Sequence, residues 1–449
     1  MKKYDNYKDS GIEWIGDVPN HWELKKIKHL GKILSGYSFK SDDFIDKEGC
    51  RVMKISNIQT MKLDWKDESF LPHSFYEKYS NFQVKKGDLV FALTRPIISS
   101  GIKASIIDIE DEILLNQRNA VLKPNEFLNV NWIYYLVFNP LFINHFESLI
   151  DNTGQQPNIS STDISNISIF LPPLLEQTAI ANYLDHKTSQ IDHLISKKEK
   201  FIKLLEEERV AVINQAVTKG LNPNVPMKDS GVEWLGEIPE HWEEARIKNI
   251  VKIIGRIGFR GYTTEDLVQK GEGAISLSPS NIKNHILNID DCTYLSWDKY
   301  NESPEIKIFE NDIILVKTGS TIGKTAIIPS GTPEMTLNPQ LVVFKDIKLN
   351  PVFLYYMMIS NYFQGYFNIN TAGGSTPAIS QEKINNFKIT FPNIEEQTQI
   401  SYFITKKESE IKSLITKAKQ EIELLKEYKT ALISEVVTGK VDVRNEILN

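Results

Sequence analysis

The stretch Pro172–Gly220, PPLLEQTAIANYLDHKTSQIDHLISKKEKFIKLLEEERVAVINQAVTKG, decides how the rest of the chain is organised. Its apolar residues recur at spacings of three and four, which is typical of one long stripe on an α-helix. Two prolines open the run, and Gly220 and Pro223 close it, so both ends carry helix-boundary signals. From Glu176 to Val217 the helix would be roughly 60 Å long at about 1.5 Å per residue. A stripe of this length needs a partner surface.

The partner is in the same chain, because the stripe returns 220 residues later. Two such helices can bury their stripes against each other as an intramolecular coiled coil. We favour this pairing over the alternative, in which each helix packs separately on its own domain. The predicted interface residues are Ile180, Leu184, Ile191, Leu194 and Leu205 in the first helix and Ile400, Ile404, Ile411, Leu414 and Leu425 in the second.

The helices belong to an internal repeat of the whole chain. Tyr7–Glu23 (YKDSGIEWIGDVPNHWE) and Met227–Glu243 (MKDSGVEWLGEIPEHWE) are identical at eleven of seventeen positions, again at an offset of 220. The offset drifts to 224 in the middle of each half, so the halves share a frame and differ in their interior loops. The repeat predicts four segments: a domain at 1–171, a long helix at 172–222, a second domain at 223–391 and a second long helix at 392–449.

The predicted fold class is α+β, with two mixed α/β domains separated by the two long helices. Each half reads as several short strands, then one helix, at Asn131–Phe146 and Pro351–Tyr366, then a Gly/Ser/Thr/Pro loop and a last strand. A two-fold relation between the halves would make the long helices antiparallel and put one domain at each end. It would also bring the first repeat's opening to the end of the second helix, in a nearly circular arrangement.

Composition limits the class of protein. The 449 residues are too many for one ordinary core, and 41% hydrophobic with 24% charged residues is typical of soluble globular domains. We find no signal segment and no apolar run long enough to cross a bilayer, and the two cysteines fit a reducing, cytoplasmic compartment. The net charge of -6 argues against indiscriminate nucleic-acid binding, so any such surface must be a local patch or be completed by a partner.

The sequence gives no support for catalysis or for a metal site. The segment Gly319–Thr325, GSTIGKT, fails the phosphate-loop pattern because Thr318 stands where a glycine is required. The eight histidines show no metal-ligand spacing. His21 and His241 occupy equivalent places in the twin motifs, and we assign them a structural role beside Trp22 and Trp242.

With catalysis and metal binding set aside, the loops of each half are the candidates for a binding function. They are rich in Arg, Lys, Asn and Gln, which can grip phosphates or read the edges of guanine and adenine. Taken singly, such residues are more often simply solvated. Two similar domains on a stiff spacer, however, match the local dyads of duplex DNA, with half-sites about one helical turn apart. The candidate DNA-binding residues are Tyr37, Lys40, Arg95, Asn116, Gln117, Arg118, Arg256, Arg260, Lys317, Ser320, Thr321, Lys324, Asn338 and Gln340.

With these features the chain resembles, over nearly its whole length, the specificity subunit of a type I restriction–modification system. The strongest marks are LPPLLEQTAIANYLD and FPNIEEQTQISYFIT, each opening a long helix, together with the twin KDSG(I/V)EW(I/L)G motifs that end in HWE. The GDLVF/NDIIL, SGIKASI/STIGKTAI and LNQ/LNP elements are similar to pieces of that family's target-recognition domains.

The resemblance implies two target-recognition domains, each reading one half of a bipartite double-stranded DNA sequence, and long helices that fix the gap. It implies that the helices dock two methyltransferase subunits, which carry S-adenosylmethionine and the catalysis, and that restriction motor-nuclease subunits join with ATP and magnesium. This chain would then be non-catalytic and hold no cofactor. Because the two domains differ in their loops, we expect unlike half-sites.

Two other hypotheses stay open at this point. One is a symmetric scaffold that pairs two enzyme copies without reading DNA. The other is an RNA-modification specificity factor, which ranks last because the loops are not notably rich in aromatic residues.

Overall fold

The computed structural model describes residues 2–12, 15–232, 235–371 and 377–446, without the side chains of Phe259 and Asn368. The chain forms two compact units. Unit 1 contains residues 1–198 and 419–449, and unit 2 contains residues 199–418. Positions 13–14 and 233–234 of the twin motifs, and 372–376 of the predicted Gly/Ser/Thr/Pro loop, lie outside the described residues.

Unit 1 is built on two four-stranded sheets. The first is antiparallel, in the order Ala104–Ile106, Leu89–Ala92, Asn119–Pro124, Gly31–Ser35. The second has the order Phe70–Leu71, Cys50–Met53, Ile113–Leu115, Gln83–Val84, and its two central strands are parallel. Two-stranded pairs join Tyr7–Asp9 to Asp17–Pro19, Glu23–Lys26 to Ser168–Leu171, Ile58–Gln59 to Lys62–Leu63, and Ile97–Ile98 to Gly101–Ile102.

Unit 2 repeats the antiparallel sheet and the parallel strand pair, but the outer strand of its second sheet lies at the opposite edge. Its antiparallel sheet runs Lys252–Gly255, Leu341–Lys345, Ile313–Val316, Thr325–Ile327. Its second sheet runs Leu267–Val268, Thr293–Ser296, Gly273–Leu277, Met335–Leu337, with the last two strands parallel. Two-stranded pairs join Met227–Asp229 to Glu237–Pro239, Glu243–Arg246 to Lys388–Phe391, and Ile282–Lys283 to Ile286–Leu287. Leu89–Ala92 and Ile313–Val316 are buried at every position, which explains their unbroken apolar sequence.

The prediction of a single helix in each domain is wrong, because each unit has two shorter helices in its place. Unit 1 has Val130–Leu136 and Pro140–Ser148, since Pro140 has no amide hydrogen and Asn139 caps the second helix by accepting from the Leu141 amide. Unit 2 breaks at Ser360. The shorter α-helices are Ser74–Lys78, Val130–Leu136, Pro140–Ser148, Ser161–Asn166, Ile247–Ile250, Trp297–Asn301, Pro351–Ile359, Asn361–Asn370 and Gln381–Asn386. The 3-10 turns are Ile27–His29, Ser41–Asp43, Ser80–Phe82, Gly258–Arg260, Thr264–Asp266, Pro279–Asn281 and Pro304–Ile306.

The two long helices are Leu174–Lys219 and Ile394–Val437, and each contributes to both units. In unit 1, Lys429 Nζ lies 2.7 Å from Asp192 Oδ1, and Lys198 pairs with Glu421. In unit 2, Arg209 Nε lies 2.5 Å from Glu408 Oε1. Numbers rise along one helix as they fall along the other, so the helices are antiparallel within each unit, as predicted.

The predicted helix interface needs correction at two positions. Leu194 and Leu414 are 46% and 43% exposed. The next inward residue after Ile191 and after Ile411 is four positions later: Ile195 and Ile415 turn inward where Leu194 and Leu414 were predicted to do so. Ile180 and Leu184 are buried in the core of unit 1, Ile400 and Ile404 in that of unit 2, so the helix ends pack on the domains. The inward line is Ile191, Ile195, Lys198, Ile202 and Leu205 in the first helix and Ile411, Ile415, Ala418, Ile422 and Leu425 in the second.

The twin HWE motifs fasten each domain to the start of its long helix. The Glu176 carboxylate, 4% exposed, accepts from the Tyr4 hydroxyl at 2.6 Å, from His21 Nε2 at 2.8 Å and from Trp22 Nε1 at 2.8 Å. Burial and the bond to Glu176 raise the pKa of Tyr4. In unit 2, Glu396 accepts from His241 Nε2 at 2.8 Å and Trp242 Nε1 at 3.3 Å. Both histidines therefore have a structural role, as the sequence indicates.

A buried tyrosine ties each domain to about the fourth turn of its long helix through a carboxylate and a threonine. The Tyr135 hydroxyl donates to Asp185 Oδ1 at 2.6 Å and lies 3.2 Å from Thr188 Oγ1. In unit 2 the Tyr356 hydroxyl donates to Glu408 Oε2 at 2.8 Å and lies 3.1 Å from Thr405 Oγ1. At the repeat offset of 220, the acid and the threonine have exchanged places between the two helices.

The chain's first residues meet the end of the second long helix inside unit 1. The Asp442 amide donates to Lys2 O at 2.8 Å, and the Tyr7 hydroxyl donates to Gly439 O at 3.1 Å. Arg444 holds Asp442 in an ion pair with 2.7 Å between Nη2 and Oδ2. This is the junction that the circular arrangement predicts for the first repeat's opening.

Candidate functional site

In unit 1, the predicted binding residues lie where strands of both sheets end at one edge. Ser35 and Ala92, the last residues of their strands, pair with Ala120 and Asn119 at the start of the strand between them. The Tyr37 amide then donates to Leu115 O at 2.9 Å, which joins the second sheet to the first. We call the residues 35–37, 93–95 and 116–119 the strand-end edge of unit 1.

The backbone of this edge is fixed, and its polar side chains point outward. The Gln117 amide donates to Tyr37 O at 3.0 Å, and Arg118 O accepts from the Leu93 amide at 2.8 Å. The side chains of Gln117 and Arg118 are exposed, and that of Asn116 is half-buried. Rigid backbone with exposed amide and guanidinium groups is suited to reading base edges.

Arg95 is presented by a strained turn. Its φ of 47° lies in the left-handed region, and its amide donates to Pro157 O at 2.8 Å. The neighbouring Thr94 hydroxyl donates to Asn158 Oδ1 at 2.9 Å. These bonds hold a conformation that is unfavourable for a residue with a side chain, and the exposed guanidinium extends from it.

Tyr37 and Lys40 lie on the loop that leaves this edge. The Tyr37 ring is packed 4.7 Å from the Tyr79 ring centroid and 5.2 Å from that of Phe82. The hydrogen bond with Tyr79 raises the pKa of Tyr37. Lys40 is exposed just before the turn Ser41–Asp43, so it is free to meet an anion.

Unit 2 has the equivalent strand-end edge, residues 255–256, 316–318 and 338–341. The Lys317 amide donates to Gln340 O at 2.9 Å, and the Gln340 amide donates to Asn338 Oδ1 at 3.0 Å. Asn338 is buried and also donates to Gln340 Oε1, so its amide shapes the turn. Ser320 and Gln340 are exposed. Lys317, Thr321 and Lys324 are half-buried.

The prediction that Arg256 contacts DNA does not fit this geometry. The side chain is 5% exposed, and its guanidinium donates to Leu337 O at 2.8 Å, Thr336 Oγ1 at 3.1 Å and Arg260 O at 3.2 Å. Burial lowers its pKa. Arg260 is half-buried and lies 3.3 Å from Glu305 Oε1. Arg256 therefore braces the edge from inside.

The sequence pattern does not single out Lys283, which lies on the binding surface of unit 2. Lys103 aligns with Lys324 at the start of the strands Ala104–Ile106 and Thr325–Ile327, but its side chain is buried. Lys283 lies with Lys324 on a cleft of about 450 Å³ in unit 2. The cleft is lined by Ser278, Pro279, Ser280, Ile282, Lys283, Thr318, Gly319, Ser320, Thr321, Lys324 and Gln340.

The segment Gly319–Thr325 is a turn between strands. The Ile322 amide donates to Gly319 O at 3.1 Å and the Gly323 amide to Val316 O at 2.9 Å, and a strand follows where a phosphate loop would open a helix. Within the described ranges, no three His, Cys, Asp or Glu side chains come together as metal ligands would. In that same part of the chain, no helix is both long and apolar enough to span a membrane.

Comparison with known proteins identifies two matching segments. Residues 19–204 and 239–424 each match the family model described as "Type I restriction modification DNA specificity domain". Each segment spans most of one predicted domain and part of the long helix that follows it.

Two relatives from Methanocaldococcus jannaschii are informative. The putative type I restriction enzyme MjaX specificity subunit is 26% identical over 447 residues, 98% of this chain and 98% of that protein. The type I restriction enzyme MjaVIII specificity subunit is 35% identical over 206 residues, 45% of this chain and 47% of that protein. That second match spans about half the length of the relative.

Two solved structures share the fold. One comes from work on complex assembly and conformational transition of a type I restriction–modification system, with a TM-score of 0.70, 15% identity, and coverage of 94% of this chain and 99% of that one. The other is the HsdS subunit from Thermoanaerobacter tengcongensis, with a TM-score of 0.59, 16% identity, and coverage of 94% and 98%.

Proposed function

The chain belongs to the type I restriction–modification DNA specificity family, and from this premise we propose that each of its units reads one half of a bipartite DNA target. One observation carries the proposal: the same strand-end edge occurs in both units, with exposed polar side chains on a fixed backbone. The family match covers both domains that carry these edges.

The chemistry of the edges suits base readout. In unit 1, Arg118 and Gln117 offer a guanidinium and a carboxamide, which pair with guanine and adenine respectively in the major groove. In unit 2, Gln340 is the exposed carboxamide, and hydroxyls and lysines surround it. Pro339 replaces Gln117 in the repeat alignment. Because the two edges present different groups, the half-sites are unlike and the target is asymmetric.

The antiparallel long helices set the gap between the half-sites in this proposal. Their inward line repeats every seven residues, which gives a stiff paired rod. Salt bridges such as Arg209–Glu408 fix the register.

The chemistry belongs to partners. We assign no catalytic step to this chain; two methyltransferase subunits supply S-adenosylmethionine and methyl transfer, and restriction motor-nuclease subunits supply ATP- and magnesium-dependent cleavage. Exposed apolar side chains at the helix starts support docking there. Leu174 and Ile394 occupy equivalent positions, 45% and 54% exposed, and Leu175 is 88% exposed.

The test is to co-express the chain with its candidate methyltransferase partner and sequence the host DNA for methylated bases. The expected result is one split motif with unlike halves and a fixed gap. A stable complex that adds no methylation would contradict the proposal and favour a scaffold that does not read DNA.

A further inference from the structure

The two units present an equivalent pair of loops that carry different charge. The pair consists of the loop after the first parallel strand and the loop after the buried central strand, and in unit 2 the two loops line a cleft. In unit 2 these loops are 278–283 and 317–324, and in unit 1 they are 54–59 and 93–103. The repeat alignment places Lys324 opposite Lys103, Ser280 opposite Ser56 and Lys283 opposite Gln59.

The cleft of unit 2 carries positive charge with no acidic lining residue. Its walls hold the ammonium groups of Lys283 and Lys324 and the hydroxyls of Ser280, Ser320 and Thr321. Over the residues that the structure describes, neither lysine is in an ion pair. Nearby, burial and the charges of Arg209 and Lys324 lower the pKa of His285.

The corresponding loops of unit 1 hold their lysines in internal contacts. Lys54 forms an ion pair with Asp67, and the Ser56 hydroxyl donates to the other Asp67 oxygen at 2.9 Å. These bonds lower the pKa of Asp67, with that from Lys54 the larger cause. Lys103, 7% exposed, is turned inward and donates to Ile55 O. Lys54 and Lys103 of unit 1 thus have partners within the unit, whereas Lys283 and Lys324 have no ion-pair partner among the described residues.

The lining of the unit 2 cleft selects an anion over a base. A base extruded from the duplex is held by stacking on aromatic or apolar side chains, and the lining contains no aromatic residue. Lysines and hydroxyls are the usual partners of phosphate oxygens. We propose that this cleft binds a phosphate of the DNA backbone and that the equivalent region of unit 1 does not. This inference rests on the proposed function, and it assigns the phosphate contact of this loop pair to unit 2 alone.

The experiment uses the full chain in complex with its methyltransferase subunits. Binding to a labelled duplex carrying the methylated motif is measured between 50 and 200 mM salt by anisotropy, with Lys283→Gln/Lys324→Gln as the test variant. Losing one phosphate contact reduces the slope of log K against log salt by about 0.9. The ratio of target to non-target affinity stays unchanged, because phosphate contacts carry no sequence information.

Two controls separate charge from folding. Lys283→Arg/Lys324→Arg keeps the charges and retains the wild-type slope. Lys54→Gln removes the aligned loop's cation in unit 1 and leaves the slope unchanged, since Asp67 already holds that charge. The thermal midpoint of each variant confirms that it is folded.

The outcomes are distinct. An unchanged slope in a folded Gln variant overturns phosphate binding by the cleft. If that complex still methylates the target, the proposed function stands. Altered preference at one base position also overturns phosphate binding, because the cleft would then read bases. Displacement of the duplex by inorganic phosphate at constant ionic strength, seen with wild type and lost in the Gln variant, would make it a free-anion site instead. A wild-type complex without sequence preference refutes the proposed function, yet a reduced slope in the Gln variant still supports the cleft.

Discussion

Truncating Glu176 should destabilise unit 1 far more than truncating Glu396 destabilises unit 2. Glu176 is buried and accepts from Tyr4, His21 and Trp22, so Glu176→Ala leaves three donors without a partner. Breaking a buried charged network costs about 3–5 kcal/mol, and we expect about 4 kcal/mol here. Glu396 has two such donors.

The matched change at Glu396 is milder for reasons visible in its geometry. Its side chain is 25% exposed, and its bond from Trp242 is longer, at 3.3 Å. Water can replace part of what is lost, so Glu396→Ala should cost about 2 kcal/mol, near the lower value for hydrogen bonds to charged groups.

Hydrogen exchange resolved by peptide is the assay, because it reports each unit separately. Protection in peptides covering 15–30 and 174–190 should fall in Glu176→Ala, and protection in 235–250 and 394–410 should fall less in Glu396→Ala. Glu199→Ala, an exposed position on the first long helix, is the control and should change neither. Equal losses in the two variants, or a greater loss at Glu396, would refute the reasoning.

Three further outcomes are expected. Deleting seven residues from each long helix, 198–204 and 415–421, preserves the seven-residue inward pattern and shortens the rod by about 10.5 Å; methylated-base sequencing should show a gap about three base pairs shorter at 3.4 Å per pair, and an unchanged gap would sink the spacer hypothesis. Exchanging Ser35–Ser161 for the corresponding region of another family member should change one half-site alone, whereas a change in both would show that the units do not read independently. The Arg444 guanidinium lowers the pKa of Asp442, so the carboxylate stabilises the fold above the usual carboxyl pKa of about 4 and loses this effect as the pH falls toward the pKa of the folded state. Chemical denaturation should show Asp442→Asn to be less stable than wild type at pH 7, with the difference shrinking below about pH 4. A difference that stays constant from pH 7 to pH 3 would contradict the ion pair.

Local pattern and repeat were enough to predict the long helices and the order of elements. They do not decide which of two adjacent apolar residues faces the partner helix. Leu194 and Ile195 are both apolar, as are Leu414 and Ile415, and only the partner helix determines which of each pair turns inward. The helix break at Pro140 is predictable from the sequence, because proline has no amide hydrogen and interrupts a helix that would otherwise continue through it.

The binding surface was less predictable, because its geometry depends on residues far apart in sequence. Arg256 is buried by bonds to Thr336 and Leu337, about eighty positions away, which no local pattern reveals. Lys103 and Lys324 are aligned, yet one is turned inward and the other lines an open cleft. Burial and charge compensation of this kind depend on tertiary packing.

The exchanged acid and threonine beneath Tyr135 and Tyr356 bear on how such a chain tolerates recombination between its own repeats. A crossover outside the turn 185–188 keeps one carboxylate and one hydroxyl beneath the tyrosine, whichever helix is inherited. A crossover inside that turn gives either Asp185 with an inherited Glu, two acids crowding one phenol, or a pair of threonines that leaves it without a charged acceptor. The few codons for this turn of each helix are therefore a poor place for gene exchange, even though the flanking repeats are similar enough to favour it.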